Sequence, residues 1–302
     1  LEIVTQKSTT PGAKAPKSLS PWAIARRKFL NNKIAMVSFI FLIFVMILSF
    51  LAPYITTQDI VKVNIGQMSL NPSADHWLGT DKSGRDVYTR LLYGGRISLL
   101  VGISCTLFVI VIGTIIGSIA GYFGGIVDSA LMRFTDFVLN FPFLVFVIVL
   151  NTILFGKLNG LWVLILVIGL LSWGGIARIV RSKILAEKEN EFVLSAVSIG
   201  CSPFKVIMKH LLPNVLSTII VQATITFAGM IVAESALSYL GFGVPAETPS
   251  WGTMLSFANE PDVLQSKPWM WVPPALAIVF TILSINFVGE GIKDALNPKS
   301  RR

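Results

Sequence analysis

The chain has 302 residues, of which 53% are hydrophobic and only 14% charged, with a formal net charge of +9. Soluble domains carry about 25% charged residues, so this composition, with a mean hydropathy of +0.72, excludes an ordinary soluble enzyme. Nor does the positive charge point to nucleic acid: no motif of that class occurs, and the basic residues cluster at the ends of apolar runs, where membrane topology accounts for them.

Residues 1–33 form a basic head containing Lys7, Lys14, Lys17, Arg26, Arg27, Lys28 and Lys33. Its Thr/Pro/Gly/Ala part, up to about Ser20, reads as disordered. Residues 21–32 are either a short helix lying on the membrane with Trp22, Ile24 and Phe29 dipping in, or a plain basic flank. The first apolar run lies too far along the chain, and is too long, for a cleavable signal peptide.

Six apolar runs follow, at 34–58, 97–127, 137–156, 158–177, 211–233 and 268–289. At about 1.5 Å per residue, each can cross a hydrocarbon core of roughly 30 Å. The fold class is therefore all-α, a polytopic membrane protein with six transmembrane helices. The third and fourth runs form a tight hairpin at Gly156-Lys157. With the head placed inside, most of the 25 lysines and arginines fall on that side, so both termini are expected to be cytoplasmic. The outer loops are then 53–96 and 239–267, with Trp162, Trp269 and Trp271 near the outer interface. In the second run Gly113, Gly117 and Gly121 recur every four residues, a spacing that lets helix backbones approach closely.

Cys105 lies inside an apolar run and Cys201 in a polar segment, so no disulfide is expected. There is no phosphate-binding G-x-x-x-x-G-K-[ST] loop, no metal-ligand spacing and no nucleophile–base set. Ion-coupled transporters keep ionisable groups at mid-membrane depth; here the spans offer Glu234 alone. Moving a polar substrate would then require an energy source outside this chain.

The polar segment 191–214 interrupts the apolar runs on the inner side. Ser195, Ala196 and Ser198 are small enough for close approach by a partner, and Gly200 can end a helix at positive φ. Ser202 would cap a second helix opening at Pro203, which carries Lys205, Lys209 and His210 towards Pro213. This is either a surface on which a soluble partner pushes or an ordinary basic connector. Glu234 falls near the outer end of the fifth span, where it either reaches water as a structural residue or, with Ser238 one turn on, contacts substrate at a pathway or gate. Asp81, Arg85 and Asp86 form either a local turn with an exposed ion pair or a docking surface. Trp251, facing outside, is the stronger docking anchor, since aromatic side chains dominate interfaces.

Several ordered blocks resemble one family. They are His76-Trp77-Leu78-Gly79-Thr80-Asp81 with Gly84-Arg85-Asp86 and Arg96, Ser98 and Leu99; Gly121-Tyr122-Phe123-Gly124-Gly125 with Asp128, Met132, Arg133, Asp136 and Phe141-Pro142; Glu234-Ser235 with Leu237-Ser238-Tyr239-Leu240-Gly241 and Pro249-Ser250-Trp251-Gly252; and Asp294-Ala295-Leu296-Asn297-Pro298. From about Ser20 onward the chain resembles inner-membrane permease subunits of ABC importers, in the oligopeptide, dipeptide and nickel branch, and among these the C-type partner of the permease pair. The segment 191–214 matches that family's coupling loop at Ala196, Gly200 and Leu212-Pro213, but Leu194, Ser195 and His210 replace the pattern's Glu, Ala and Ile.

The resemblance implies a five-helix core of type I importers (97–290, including a coupling loop at 181–212), preceded by an accessory helix (34–58) and an outer loop (59–96) and followed by a cytoplasmic tail (291–302). It implies ATPase coupling through Glu191, Ser195, Ala196, Gly200, Ser202, Pro203, Lys205 and Pro213. The partners implied are a second permease in a heterodimer, two ATPase subunits, an extracytoplasmic binding protein, a peptide substrate and membrane lipid. No cofactor is expected in this chain, which is not itself an enzyme; ATP and Mg belong to the ATPases. Open alternatives are nickel import, an ion-coupled or passive transporter without ATPases, and a non-conducting scaffold.

Overall fold

The computed structural model describes residues 21–154, 160–245 and 247–296. The expected disordered head, the turn at Gly156-Lys157 and the last residues of the tail lie outside that range. In chain order the helices are α1 (Pro21–Asn31), α2 (Lys33–Phe50), α3 (Ala52–Ile55), α4 (Val87–Phe123), α5 (Gly125–Leu139), α6 (Phe143–Leu154), α7 (Gly160–Lys188), α8 (Glu191–Ser198), α9 (Pro203–Val206), α10 (Leu212–Tyr239), α11 (Trp251–Leu255), α12 (Pro261–Ser266) and α13 (Val272–Leu296). No strand occurs among the described residues.

Among the described residues five helices are long and apolar enough to cross a membrane, or six if a bent pair counts as one span. That pair corrects the single span expected at 137–156. Helices α5 and α6 meet at 82°, with the corner at Asn140-Phe141-Pro142. Proline pushes the preceding residue out of the helical region and supplies no N–H, so the helix stops at Leu139. Phe141 fills the corner, its ring centroid 4.9 Å from Phe137 and 4.3 Å from Phe146. The second span is also longer than the apolar run suggests. It starts at Val87 because Asp86 accepts the Thr89 N–H at 2.7 Å and caps it.

Helices α4 and α7 form the central seam. A Cβ on Gly113 would lie 2.7 Å from Ile176 Cβ, one on Gly117 2.4 Å from the Ala177 carbonyl oxygen, and one on Gly121 2.9 Å from Ile184. The glycine stripe is thus the surface on which α7 lies, with no room for a side chain. Cys105, Val163, Leu164 and Ile168 bury the seam further along, with Leu237 of α10. Helix α10 packs on α4 and α13 through Leu99, Ile231, Ile278 and Ile285. Helix α2 covers α13 and leaves Ile34, Val37, Ile40 and Phe44 exposed, the pattern of a peripheral helix facing lipid. Proline at 273 and 274 falls in the first turn of α13, where a missing N–H costs nothing, so these residues start a helix and do not break one.

Where α7 ends, Arg181 pairs with Asp128 and Arg178 with Asp136 across to α5. Lys188 donates to the Tyr122 carbonyl at 2.6 Å and lies over the Tyr122 ring, fastening the end of α7 to the end of α4. Because α7 stays helical to Lys188, Arg181 and Lys183 belong to the span and not to a loop.

Candidate functional site

Two regions contain the residues singled out in the sequence. At one end of the bundle, α8 and α9 form a helix–break–helix element. Helix α8 is amphipathic: Val193 and Ala196, three apart, are both buried, Val193 in a cluster with Ile184, Val206, Leu211 and Val215. The break is a Schellman turn. Gly200 has φ +82, its N–H reaches the Val197 carbonyl at 2.9 Å, and the Cys201 N–H reaches that of Ala196 at 3.1 Å, as expected for a left-handed residue closing a helix. Pro203 opens α9 as expected, but the Ser202 side chain makes no cap hydrogen bond; only its carbonyl accepts, from Val206 N–H at 3.0 Å.

A π-helical turn, Ile207–Leu211, joins α9 to α10. Pro213 lies just beyond it, and the wider turn accommodates a ring that has no N–H for the preceding carbonyl. The element's outward face is apolar. Phe192, Leu194, Val197, Ile199 (80% exposed), Phe204 (73% exposed) and Met208 all project into solvent, with Glu191, Ser195 and Lys205 among them. Of the small residues expected on this face, Ser195 and Ser198 are exposed and Ala196 is not. Ala196 faces the bundle, and the surface is built of bulky apolar side chains, Leu194 included.

At the opposite end, two expectations are overturned. Trp251 is 2% exposed; its ring sits in a cluster with Leu99, Ile231 and Ile278, and its Nε1 donates to the Leu91 carbonyl at 3.1 Å. It is not a surface anchor, because Gly95 leaves space for the ring, at 2.9 Å from where a Cβ would stand. Asp81 is 1% exposed. One carboxylate oxygen accepts from the Ser83 and Arg85 N–H groups at 2.8 and 3.0 Å, and the other from Arg85 Nε at 2.8 Å. Arg90, also buried, approaches at 3.5 Å and donates to the Ile60 carbonyl at 2.7 Å. Asp86 caps α4 and holds His76 Nδ1 at 3.0 Å. The expected local turn is present, held by the Asp81 backbone bonds, but its ion pair is largely buried and not exposed; Asp81, Arg85 and Asp86 thus knot the 59–86 segment onto the start of α4.

Glu234 is fully buried, at 0% exposure, and does not reach water. Its carboxylate accepts Ser98 Oγ of α4 at 2.8 Å and Ser238 Oγ of α10 at 2.7 Å, with Ser235 Oγ at 3.4 Å. Ser98 Oγ in turn accepts the Trp251 N–H at 3.2 Å. One carboxylate thereby joins α4, α10 and α11, and among the described residues no Lys, Arg or His pairs with it. The close fit needs glycine at 243 and 252, where a Cβ would stand 2.0 Å from Ser238 Oγ and 2.7 Å from the Ser235 Cα. Sequence reasoning missed Ser98, whose only signal is its place inside the Arg96-x-Ser98-Leu99 block.

Beside this junction a cavity of about 490 Å³ is lined by Asn151, Thr152, Gly241, Phe242, Gly243, Val244, Pro245 and Glu247. It is absent from the sequence reading because its lining comes from α6 and the turn after α10, far apart in the chain. Among the described residues, no group of three or more His, Cys, Asp or Glu could hold a metal ion.

Comparison with known proteins places these features. Residues 113–302 match the family described as binding-protein-dependent transport system inner membrane component, and residues 20–72 match the N-terminal transmembrane domain of oligopeptide transport permease C. The dipeptide transport system permease protein DppC of Bacillus subtilis is 42% identical over 94% of this chain and 88% of its own length. The oligopeptide transport system permease protein OppC of Haemophilus influenzae is 41% identical over 93% of this chain and 90% of its own. Among solved structures, a chain of the MetNI methionine ABC transporter superposes with a TM-score of 0.55 at 19% identity, over 68% of this chain and 96% of that one. At that identity the likeness is one of fold.

Proposed function

We propose, on the premise that this chain belongs to the family of binding-protein-dependent transport system inner membrane components, that it is the permease subunit of an ATP-driven importer of oligopeptides or dipeptides. It spans the membrane several times and forms half of the translocation pathway. The other half is a second, similar permease; two ATPase chains bind on the cytoplasmic side and a substrate-binding protein delivers peptide from outside. Both termini and α8–α9 are cytoplasmic. ATP and Mg act on the ATPase chains, and this chain holds no cofactor and performs no bond chemistry.

The observation that carries the reading is the exposed apolar face of α8–α9. Burying one such side chain is worth about 1.5–3 kcal/mol, so Leu194, Ile199 and Phe204 together can offset a substantial part of an association cost of roughly 4–15 kcal/mol. The inward face passes the load on. Val193 and Val206 cluster with Ile184 of α7 and Val215 of α10, so a displacement of the element moves both spans. Alternating access then follows from ATPase closure on ATP binding, which opens the pathway outward, and from hydrolysis, which resets it.

The test is the double variant Ile199→Asp/Phe204→Asp. Neither side chain is buried in this chain, so membrane insertion and pairing with the second permease are expected to persist while ATPase subunits no longer co-purify. Undiminished ATPase recovery would refute the assignment.

A further inference from the structure

The cavity beside α6 is chemically one-sided. Asn151 is buried, and its Nδ2 donates to the Phe242 carbonyl at 2.6 Å. A carbonyl can only accept, so this contact fixes the amide: the nitrogen faces Phe242 and Oδ1 faces away. That oxygen is buried and accepts no hydrogen bond. A buried acceptor left unpaired costs on the order of 1–3 kcal/mol, a cost relieved when a donor arrives.

The rest of the lining repeats the bias. Thr152 spends its hydroxyl proton on the Ile148 carbonyl at 2.8 Å, so only its lone pairs remain. The N–H groups of Gly241, Phe242 and Val244 are spent on Ser238 O, Leu237 O and Ser238 Oγ, at 3.1, 2.8 and 3.4 Å. Pro245 has no N–H, and Glu247 adds a carboxylate. Among the described lining residues there is no Lys, Arg or His. Acceptors outnumber the donors left over, which are the second Asn151 Nδ2 hydrogen and the Gly243 N–H, and one formal negative charge stands at the rim. Such a lining favours a compact cation with several N–H groups.

We propose that this cavity is a subsite for the primary ammonium group at the amino terminus of a peptide substrate, with Asn151 Oδ1 and the Glu247 carboxylate as its acceptors. The inference rests on the peptide-import reading above and adds to it a selecting contact within the permease. At about 490 Å³ the cavity lies in the range of ligand sites, roughly 300–1,000 Å³, with room for a peptide end and its first side chain. The second source of the same chemistry is a lysine of the partner permease.

The test uses the complete importer in proteoliposomes, with binding protein saturated by radiolabelled tri-alanine so that its own affinity does not set the rate. Glu247 is exposed, and Glu247→Gln is expected to lower uptake about tenfold, the loss of one charge-assisted contact, while Glu247→Asp keeps most of it. Asn151→Leu is expected to lower uptake by at least as much. All variants are expected to co-purify with the second permease and to keep basal ATP hydrolysis. Uptake by Glu247→Gln within twofold of the unaltered complex overturns the subsite. Loss of the second permease from Glu247→Gln also overturns it, by assigning the cavity to the subunit interface. If the unaltered complex imports neither di-alanine nor tri-alanine, it is the peptide reading that fails.

Discussion

Removing the Glu234 carboxylate tests the claim that it joins three elements. In Glu234→Ala the Ser98 and Ser238 hydroxyls lose their acceptor in a site closed to water. Each buried polar group left unpaired costs about 1–3 kcal/mol. Both serines sit in helices, where the hydroxyl can turn back to the carbonyl four residues earlier, which recovers part of the loss. The emptied side-chain volume adds a cavity cost, since close-packed surroundings relax only in part. The expected destabilisation is roughly 2–4 kcal/mol. Glu234→Gln, which keeps one acceptor and the volume, should lose about 1 kcal/mol. Equilibrium unfolding of the purified chain in mixed dodecyl maltoside and SDS micelles measures both. The Trp251 N–H gives a local readout: it is bonded to Ser98 Oγ, so its hydrogen exchange should accelerate in the alanine variant. Equal stability of Glu234→Ala and the unaltered chain, with unchanged exchange at Trp251, would refute the reasoning.

Other outcomes follow from the same contacts. Gly117→Val places branched carbon atoms against the Ala177 backbone and should abolish folding of the α4–α7 pair, seen as loss of a monodisperse peak in size exclusion; Gly175→Ala, in open space, should be silent. Gly200→Ala forces a side chain to φ +82 at a cost of about 1 kcal/mol, and Gly200→Asn should cost less; hydrogen exchange at Cys201 separates them. Arg85→Met should detach the 59–86 segment from α4 and speed proteolysis there, because Asp81 is then a buried carboxylate whose direct side-chain donor is gone. In the loop after α11, the Lys267 ammonium, bonded to Asp262 at 2.6 Å, holds that carboxyl below its ordinary value of 3.8. A depressed carboxylate stabilises above its ordinary value and stops doing so as pH falls through the lowered one. Protection of the Val263–Lys267 amides, corrected for the intrinsic pH dependence of exchange, should therefore be unchanged from neutral pH down to about 4 and fall below it.

Much of the fold is legible in the sequence because hydrocarbon imposes a strong and simple pattern: apolar runs mark spans, and a glycine stripe marks where two of them touch. Span ends are less legible. Val87 begins a helix ten residues before the apolar run does, because the start is set by the Asp86 cap and not by hydropathy. Pro142 announces a break but not its angle, which depends on how Phe137, Phe141 and Phe146 stack. The α8–α9 element is readable as helix, glycine turn and helix, yet which face is inward is not, since Val193 could have served either side until Val206 and Leu211 are brought into one cluster with it. Burial is least legible of all. Trp251, Asp81 and Glu234 look like surface residues in a list of loop and span-end positions. They are interior because Gly95, Gly243 and Gly252 clear the space and because Ser98, distant in sequence, supplies the hydrogen bonds.

Helix α4 has 37 residues, which at about 1.5 Å each makes a rod of roughly 55 Å, nearly twice the thickness of a bilayer's hydrocarbon core at roughly 30 Å. Its first turns are held by Asp86 and Trp251, and its last residues receive Lys188. Such a rod gains amplitude with length: a tilt of about 5° about one tip sweeps the other through about 5 Å over that length. With α7 laid along the glycine stripe and unable to slide independently, the two helices tilt together. Any small angular play at one end would thereby be magnified into a displacement of side-chain dimensions at the other, without any helix bending or unwinding.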